Sequence, residues 1–155
     1  MRDQKLVEEY EKALFYLPPT LREALQSIPE GEKARIQEIR LRAGRPLSVF
    51  DGAVSRFVTG RGALTYGGNG GFVVDQGLIQ DAFVRLCDYS VHTHQGEMER
   101  GFVTTPKGDR VGLCASVVKD RDGTISCREI SSLSLRISRE IPGAGRELCR
   151  RWDLS

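Results

Sequence analysis

The chain has 155 residues, of which 39% are apolar and 28% are charged, and 23 basic residues face 21 acidic ones for a formal net charge of +2. This composition excludes a globally disordered chain and suffices for one domain with a hydrophobic core. Neither half of the chain is basic and there is no charged tail, so bulk electrostatics do not argue for nucleic acid or membrane binding. Eighteen of the 23 basic residues are Arg, which suits paired hydrogen bonds to phosphate or carboxylate, although a codon bias would give the same excess.

Residues 1–32 predict a helical lead-in. Apolar residues recur at helical spacing between Leu6 and Leu17, and the Pro18-Pro19 pair then ends the first helix. Thr20, followed three residues later by Glu23, forms a capping-box pattern that predicts the start of a second short helix. The apolar side of this helix consists of Leu21, Ala24, Leu25 and Ile28.

Residues 33–142 predict an α+β domain. Short apolar runs broken by glycine predict strands at 36–41, 47–49, 57–58, 63–66 and 72–74. Asp75 is placed to cap a helix that runs to about Tyr89, and a second helix is predicted through 95–100.

The last third of the chain has the clearest strand pattern. A strand at 102–105 leads into a turn at 106–109, and alternation of apolar and polar residues then predicts strands at 110–117, 125–127 and 132–138. The predicted fold class is therefore α+β, with N-terminal helices and a mixed, mostly antiparallel sheet flanked by helices. Residues 143–155, which follow Pro142, are predicted to form a linker toward a further domain.

Catalytic and metal-binding motifs are not found in the sequence. It contains no phosphate loop and no dinucleotide fingerprint. His92 and His94, even with Cys87 and Glu97, are too weak a pattern for zinc, so no metal site is predicted. The four cysteines are widely spaced and are predicted to be buried, reduced thiols: Cys87, Cys114, Cys127 and Cys149.

The expected location is the cytoplasm. The charged start of the chain lacks the apolar segment of a signal peptide, and no apolar run approaches the roughly 18 residues of a membrane span. Attachment to a membrane would therefore need a partner protein.

Two groups of arginines form the candidate site. Arg110 and Arg136 lie on the polar sides of two predicted strands, and Arg139 lies just beyond the second. Adjacent antiparallel strands would bring such side chains together, where they could hold a phosphate or a partner's carboxylate. The alternative is that they are solvated or paired with Glu129, Glu140 or Asp109.

The second group of arginines is predicted to form an interface. Arg40 and Arg42 share one side of a predicted strand with Glu38, and Arg45 follows in the turn. The alternative is that Glu38 pairs with the first two.

Three stretches of the sequence carry a resemblance. They are EIRLRAGRPL at 38–47, GFVTTPKGDRVGLCA at 101–115 and ISSLSLRISREIPGAG at 130–145. Together, their order and spacing resemble the N-terminal region of the stage III sporulation protein AA family, which belongs to the secretion ATPase superfamily. The second stretch departs from the family at Asp109, where a His is usual, and at Ala115, where a Gly is frequent.

This resemblance implies the N-terminal accessory or assembly domain of a sporulation secretion-type ATPase, which would power or assemble a channel between mother cell and forespore. Such a domain is not catalytic alone. ATP and Mg²⁺ would be bound by an ATPase domain beyond residue 155, in a hexamer. Arg110, Arg136 and Arg139 then become candidate nucleotide contacts. The implied partners are the chain's own ATPase domain, neighbouring subunits and a membrane protein of the channel.

Two other functions stay open. Single-stranded nucleic acid binding would need aromatic side chains interleaved with Arg, and Phe72, Phe102 and Tyr66 do not show that pattern along the chain, so nucleic acid is not an expected partner. A small-ligand domain would need a pocket enclosed between sheet and helices.

Overall fold

The computed structural model describes residues 2–88, 95–123 and 125–139. The helices are α1 (Arg2–Ala13), α2 (Pro19–Gln26), α3 (Glu30–Lys33), α4 (Gln76–Leu86) and α5 (Gln95–Glu99). The strands are β1 (Glu38–Arg42), β2 (Arg45–Pro46), β3 (Ser48–Phe50), β4 (Ser55–Val58), β5 (Leu64–Thr65), β6 (Val73–Val74), β7 (Phe102–Thr104), β8 (Arg110–Lys119) and β9 (Ile125–Arg136).

One seven-stranded sheet organises the described part of the chain. Its strand order is β5-β4-β3-β1-β9-β8-β7, and each of these pairings is antiparallel. The last strand lies beside the first, with Ile39 opposite Leu135, while β2 and β6 form a separate two-stranded ribbon. The α+β class and the mostly antiparallel sheet predicted from the sequence are thus confirmed.

The hydrophobic core lies on one face of this sheet. Successive residues of a strand point to opposite faces, so the alternation in the sequence buries one set of side chains. Ile39 and Leu41 on β1, and Leu133 and Leu135 on β9, are at most 4% exposed. They share one cluster with the apolar sides of α1, α2 and α4, which include Tyr10, Leu14, Leu21, Leu25, Ile79 and Phe83.

The opposite face of the sheet is called the open face here. Its residues alternate with the buried ones, and four of them (Arg42, Arg110, Cys114 and Arg136) are exposed to solvent. The open face comprises Glu38, Arg40, Arg42, Ser48, Phe50, Phe102, Thr104, Arg110, Gly112, Cys114, Ser132, Ser134 and Arg136.

The N-termini of α2 and α4 differ in how they are capped. The predicted cap at Thr20 is wrong, because the N-cap of α2 is Pro18, two residues earlier, and no side chain caps the helix. A proline at the first helical position already has the φ angle that a helix needs, so the helix starts there. The predicted cap at Asp75 is confirmed, since its Oδ1 accepts a hydrogen bond of 2.7 Å from the Leu78 N–H.

The prediction for 125–138 is wrong in one respect. The two short strands expected there form one long strand, β9, which pairs with β8 over its whole length. Register shifts at Cys114/Ala115 and Ser116/Val117 interrupt the alternation, and this made one strand look like two.

The cysteines do not share one environment. Cys87 is buried as predicted, and burial raises the pKa of its thiol to about 11. Cys114 is exposed, which corrects the prediction, because it lies opposite Ser132 on the open face. The Cys127 side chain and Cys149, like His92 and His94, lie outside the described residues.

None of the helices in the described ranges is long and apolar enough to cross a membrane.

Candidate functional site

Arg110 and Arg136 lie side by side where β8 begins and β9 ends. Val111 of β8 pairs with Leu135 of β9. The next residues outward, Arg110 and Arg136, therefore lie opposite each other. Glu38 pairs with Arg136 from the other side. Neighbouring strands are roughly 4.8 Å apart, so the two guanidinium groups reach the same space. We call these two residues the strand-end pair.

The strand-end pair is not neutralised by an ion pair among the described residues. The guanidinium carbon of Arg110 lies 4.4 Å from the centre of the Phe102 ring, a cation–π contact that leaves its N–H groups available. Asp109, one of the predicted partners, instead accepts a hydrogen bond of 2.7 Å from the Ser138 hydroxyl. Glu140, another predicted partner, lies outside the described residues.

Glu38 forms its ion pair with Arg40 and not with either residue of the strand-end pair. The Arg40 Nε donates to Glu38 Oε1 over 3.1 Å, and the Ser134 hydroxyl donates to the same oxygen. Burial alone would raise the pKa of Glu38, but these hydrogen bonds and the charge of Arg136 lower it below its usual value. Glu38 is therefore ionised at neutral pH, and its charge is balanced mainly by Arg40.

Two clefts flank the strand-end pair, and both arginines line each of them. The first, of about 320 Å³, lies between α1 and the strand ends. The second, of about 860 Å³, lies where β1 begins and β9 ends. Basic side chains outnumber acidic ones by five to three in the first cleft, where Lys5, Lys12, Lys107, Arg110 and Arg136 oppose Glu8, Glu9 and Asp109.

Arg139 has a different setting, because its guanidinium is only 17% exposed and faces the interior. It donates to the backbone carbonyl oxygens of Leu6, of Lys33 at 3.1 Å and of Ile36 at 2.6 Å. Burial lowers the pKa of Arg139, while Glu9, whose carboxylate lies 3.6 Å away, raises it. These bonds join α1 to the segment between α3 and β1. Bonds to carbonyl groups leave no trace in the sequence, so this role could not be predicted.

The predicted interface arginines are divided. Arg40 forms a salt bridge of 3.1 Å with Glu38, and its Nη1 donates to the Ser55 hydroxyl over 3.2 Å. Arg42 is exposed opposite Ser132, and no described residue bonds to its guanidinium. Arg45 is exposed on the β2–β6 ribbon, away from the seven-stranded sheet. The structure thus brings Arg40 and Arg42 together with the strand-end pair on the open face, without Arg45 or Arg139.

Two phenylalanines lie on the open face: Phe50, which sequence reasoning missed, and Phe102, which it considered but could not place beside an arginine. Phe102 lies under Arg110, and Phe50 lies under Arg40 with 4.8 Å between guanidinium carbon and ring centre. Each pair is a diagonal one across two neighbouring strands, so it depends on the strand register, which the sequence pattern does not reveal.

A metal centre has no support in the described ranges. There, no group of three or more His, Cys, Asp or Glu side chains is arranged to hold an ion.

The comparisons with known proteins agree with each other. The profile of the family described as "Sporulation stage III, protein AA" matches residues 8–153. The chain is 33% identical over 132 residues to "Stage III sporulation protein AA" of Bacillus subtilis (strain 168). This match covers 85% of the chain but only 39% of that relative's length. No solved structure matches the chain significantly.

Proposed function

Because the chain belongs to the stage III sporulation protein AA family, whose name carries a role in sporulation, we propose that it is the N-terminal accessory domain of a sporulation secretion-type ATPase. The chain spans 39% of the length of its relative from Bacillus subtilis, which leaves room for a nucleotide-binding domain in the whole protein. The sequence has no phosphate loop, so ATP and Mg²⁺ would be bound by that other domain.

The strand-end pair is the observation that carries this proposal. Two adjacent arginines that form no ion pair with a described carboxylate provide donors that match phosphate oxygens. Arg110 and Arg136 would contact the phosphates of a nucleotide held by the ATPase domain and stabilise the negative charge on them. Hydrolysis itself would take place in the ATPase domain.

The position of Arg136 suggests how such a contact would be coupled to movement. Arg136 is the last residue of β9, and Arg139, three residues later, is bonded to carbonyl groups beside α1 and β1. A force on Arg136 would therefore reach the helices and the sheet as one body. Loss of the phosphate after hydrolysis would release the contact and allow the domain to turn relative to its neighbour.

The partners in this proposal are the chain's own ATPase domain and neighbouring subunits of a hexamer. A membrane protein of the channel between mother cell and forespore would hold the assembly at the membrane from the cytoplasmic side.

The test uses the whole protein that contains this domain. In the Arg110→Gln, Arg136→Gln double variant we expect kcat for ATP hydrolysis to fall about 1,000-fold, the lower end of what an arginine contributes to phosphoryl transfer. Arg61→Gln is the control, because Arg61 is an exposed arginine in the turn before β5. A double variant with the kcat and KM of the parent would contradict the proposal.

A further inference from the structure

The open face has the same arrangement on both sides of β9. On one side, Phe102 of β7 lies under Arg110 of β8, and on the other, Phe50 of β3 lies under Arg40 of β1. Four inter-strand steps separate β3 from β7, which is roughly 19 Å. Aromatic rings and arginines that are separated along the chain are thus interleaved on one surface.

Small side chains form the floor between the two pairs. Gly112 on β8 lies opposite Ser134 on β9, and Ser134 lies opposite Arg40 on β1. Ser132 follows one step along the strand, between Arg42 and Cys114. Because Gly and Ser side chains are shorter than those of Phe and Arg, we expect a shallow trough between the two pairs, with serine hydroxyl groups at its base.

The charge of this trough is positive. Arg42, Arg110 and Arg136 are exposed, and none of them forms an ion pair with a described residue. Two carboxylates border these arginines: Glu38, which is held by Arg40 and Ser134, and Glu97, which accepts hydrogen bonds from Thr104 opposite Arg110. An anionic occupant therefore meets three available guanidinium groups.

We infer that the open face binds single-stranded nucleic acid, with its phosphates on Arg42, Arg110 and Arg136 and its bases against the Phe50 and Phe102 pairs. Single-strand-binding surfaces combine a positive track for the backbone with aromatic rings for the bases. Guanidinium planes are themselves stacking surfaces for unpaired bases, so an Arg above a Phe extends the ring rather than blocking it. An acidic peptide would use the charges of the arginines but would stack nothing on the two Phe/Arg pairs.

This inference goes beyond the proposed ATPase role and is tested separately from it. Arg110 and Arg136 belong to both sites, so the test substitutions are made at Arg42 and Phe102, which the ATPase proposal does not use. The experiment uses the 155-residue chain, which has no phosphate loop, so a failure here leaves the ATPase proposal untouched, and the reverse also holds.

The measurement is fluorescence anisotropy of a short, labelled, mixed-sequence oligodeoxynucleotide, titrated with the chain at several salt concentrations. Three phosphate contacts predict that log K falls with log salt with a slope of about −2. Arg42→Gln should lower that slope by about 0.7, since each contact to a single strand contributes that amount. Phe102→Leu should weaken binding about tenfold at every salt concentration, because it removes a stacking surface and no charge.

Controls separate this reading from simple attraction between charges. Arg61→Gln removes the same charge as Arg42→Gln from a turn outside the open face, and it should bind like the parent. The duplex of the same sequence should bind more weakly, since its bases are not free to stack. Thermal unfolding shows whether each variant is folded. If Phe102→Leu does not fold, the inference is tested by Arg42→Gln alone.

Three results would overturn the inference. The first is no binding of the single strand at low salt. The second is equal loss of affinity in Arg42→Gln and Arg61→Gln, which would mean non-specific attraction. The third is full displacement of the oligonucleotide by a polyglutamate peptide, together with an unchanged oligonucleotide affinity in Phe102→Leu. That result would assign the open face to an acidic protein partner.

Discussion

At the scale of single residues, the arginines of this domain divide by what their guanidinium groups face. Arg42, Arg110 and Arg136 face solvent on the open face, whereas Arg139 faces carbonyl oxygens in the interior. The sequence presents Arg136 and Arg139 as similar candidates three residues apart. Strand alternation places Arg136 on the open face, while Arg139 lies beyond the end of β9, where alternation no longer applies.

Arg139→Gln should destabilise the fold by about 2–4 kcal/mol, because it removes charged donors from three carbonyl groups that water cannot easily reach. Urea unfolding of the 155-residue chain measures this change. Arg42→Gln is the matched control and should stay within about 0.5 kcal/mol of the parent, since its guanidinium is exposed. Equal stability of the two variants would show that the bonds of Arg139 contribute little.

Residue exposure was only partly predictable. Cys87 lies on the apolar side of a helix whose periodicity is plain, so its burial could be predicted from the sequence. Cys114 looks like a core thiol by residue type, but it alternates with the buried Leu113 and therefore lies on the open face. Alternation was the better guide in this case than the average behaviour of cysteine.

At the scale of elements, the start of α4 shows how much a local pattern can predict. Asp75 directly precedes an apolar stripe, and its carboxylate caps the helix as expected. Thr20 and Glu23 show the same kind of pattern, yet the preceding prolines fix the start of α2 two residues earlier than that pattern predicts. A competing local preference, rather than a distant contact, overturned that prediction.

Asp75→Ala should cost about 1 kcal/mol of unfolding free energy, the usual effect of losing an N-cap. Asp75→Asn keeps an oxygen that can accept from the Leu78 N–H and should cost much less. Thr20→Ala should be close to neutral, because no capping bond exists there. Chemical unfolding of the three variants, compared with the parent, checks this order, and a Thr20→Ala loss as large as that of Asp75→Ala would contradict it.

The strands themselves were predictable, but their neighbours were not. Alternation predicted which side of β8 and β9 would be buried. Nothing in the sequence pattern places β9 between β1 and β8, since that pairing joins residues almost 100 positions apart, as in Glu38 opposite Arg136. Each Phe/Arg pair lies within one local pairing, β1 with β3 or β7 with β8, but only the position of β9 between β1 and β8 brings the two pairs onto one surface.

At the scale of the whole molecule, ion pairs join the helical layer to the sheet. Arg56 lies on the core side of β4 and is bonded to Glu32 of α3 over 2.6 Å, with Asp51 at 3.8 Å. The hydrogen bond from Arg56 lowers the pKa of Glu32, and the backbone N–H groups of Val54 and Ala53 lower that of Asp51. The pKa of Glu38 is lowered as well, by its hydrogen bonds with Arg40 and Ser134.

The stability of the domain should therefore fall in acid. Each of these carboxyl groups has a lower pKa in the folded chain than in the unfolded chain, where the value is about 4. The unfolded chain then binds more protons as the pH falls, so the free energy of unfolding is highest above about pH 5 and decreases below pH 4. Urea midpoints between pH 7 and pH 3 measure this decline.

Glu32→Gln tests one part of that decline. At pH 7 this variant should be less stable than the parent by about 1 kcal/mol, because the short hydrogen bond from Arg56 to residue 32 loses its charge and only the longer contact to Asp51 stays ionic. The difference should shrink toward pH 3, where Glu32 of the parent is itself becoming protonated. A constant difference at every pH would mean that the ionisation of Glu32 does not contribute.

The two outer strands of the sheet have a consequence for crowded solutions. An unpaired strand edge offers free backbone groups to a second copy of the chain, so that sheets of different molecules can pair edge to edge. Here β5 has only two residues, and at the other edge Glu97 accepts hydrogen bonds from the Thr104 N–H at 3.3 Å and from the Thr104 hydroxyl. The β5 edge is too short to pair with another strand. At the β7 edge, the Glu97 carboxylate occupies the Thr104 N–H. We therefore expect the domain to resist fibrillar aggregation at high concentration.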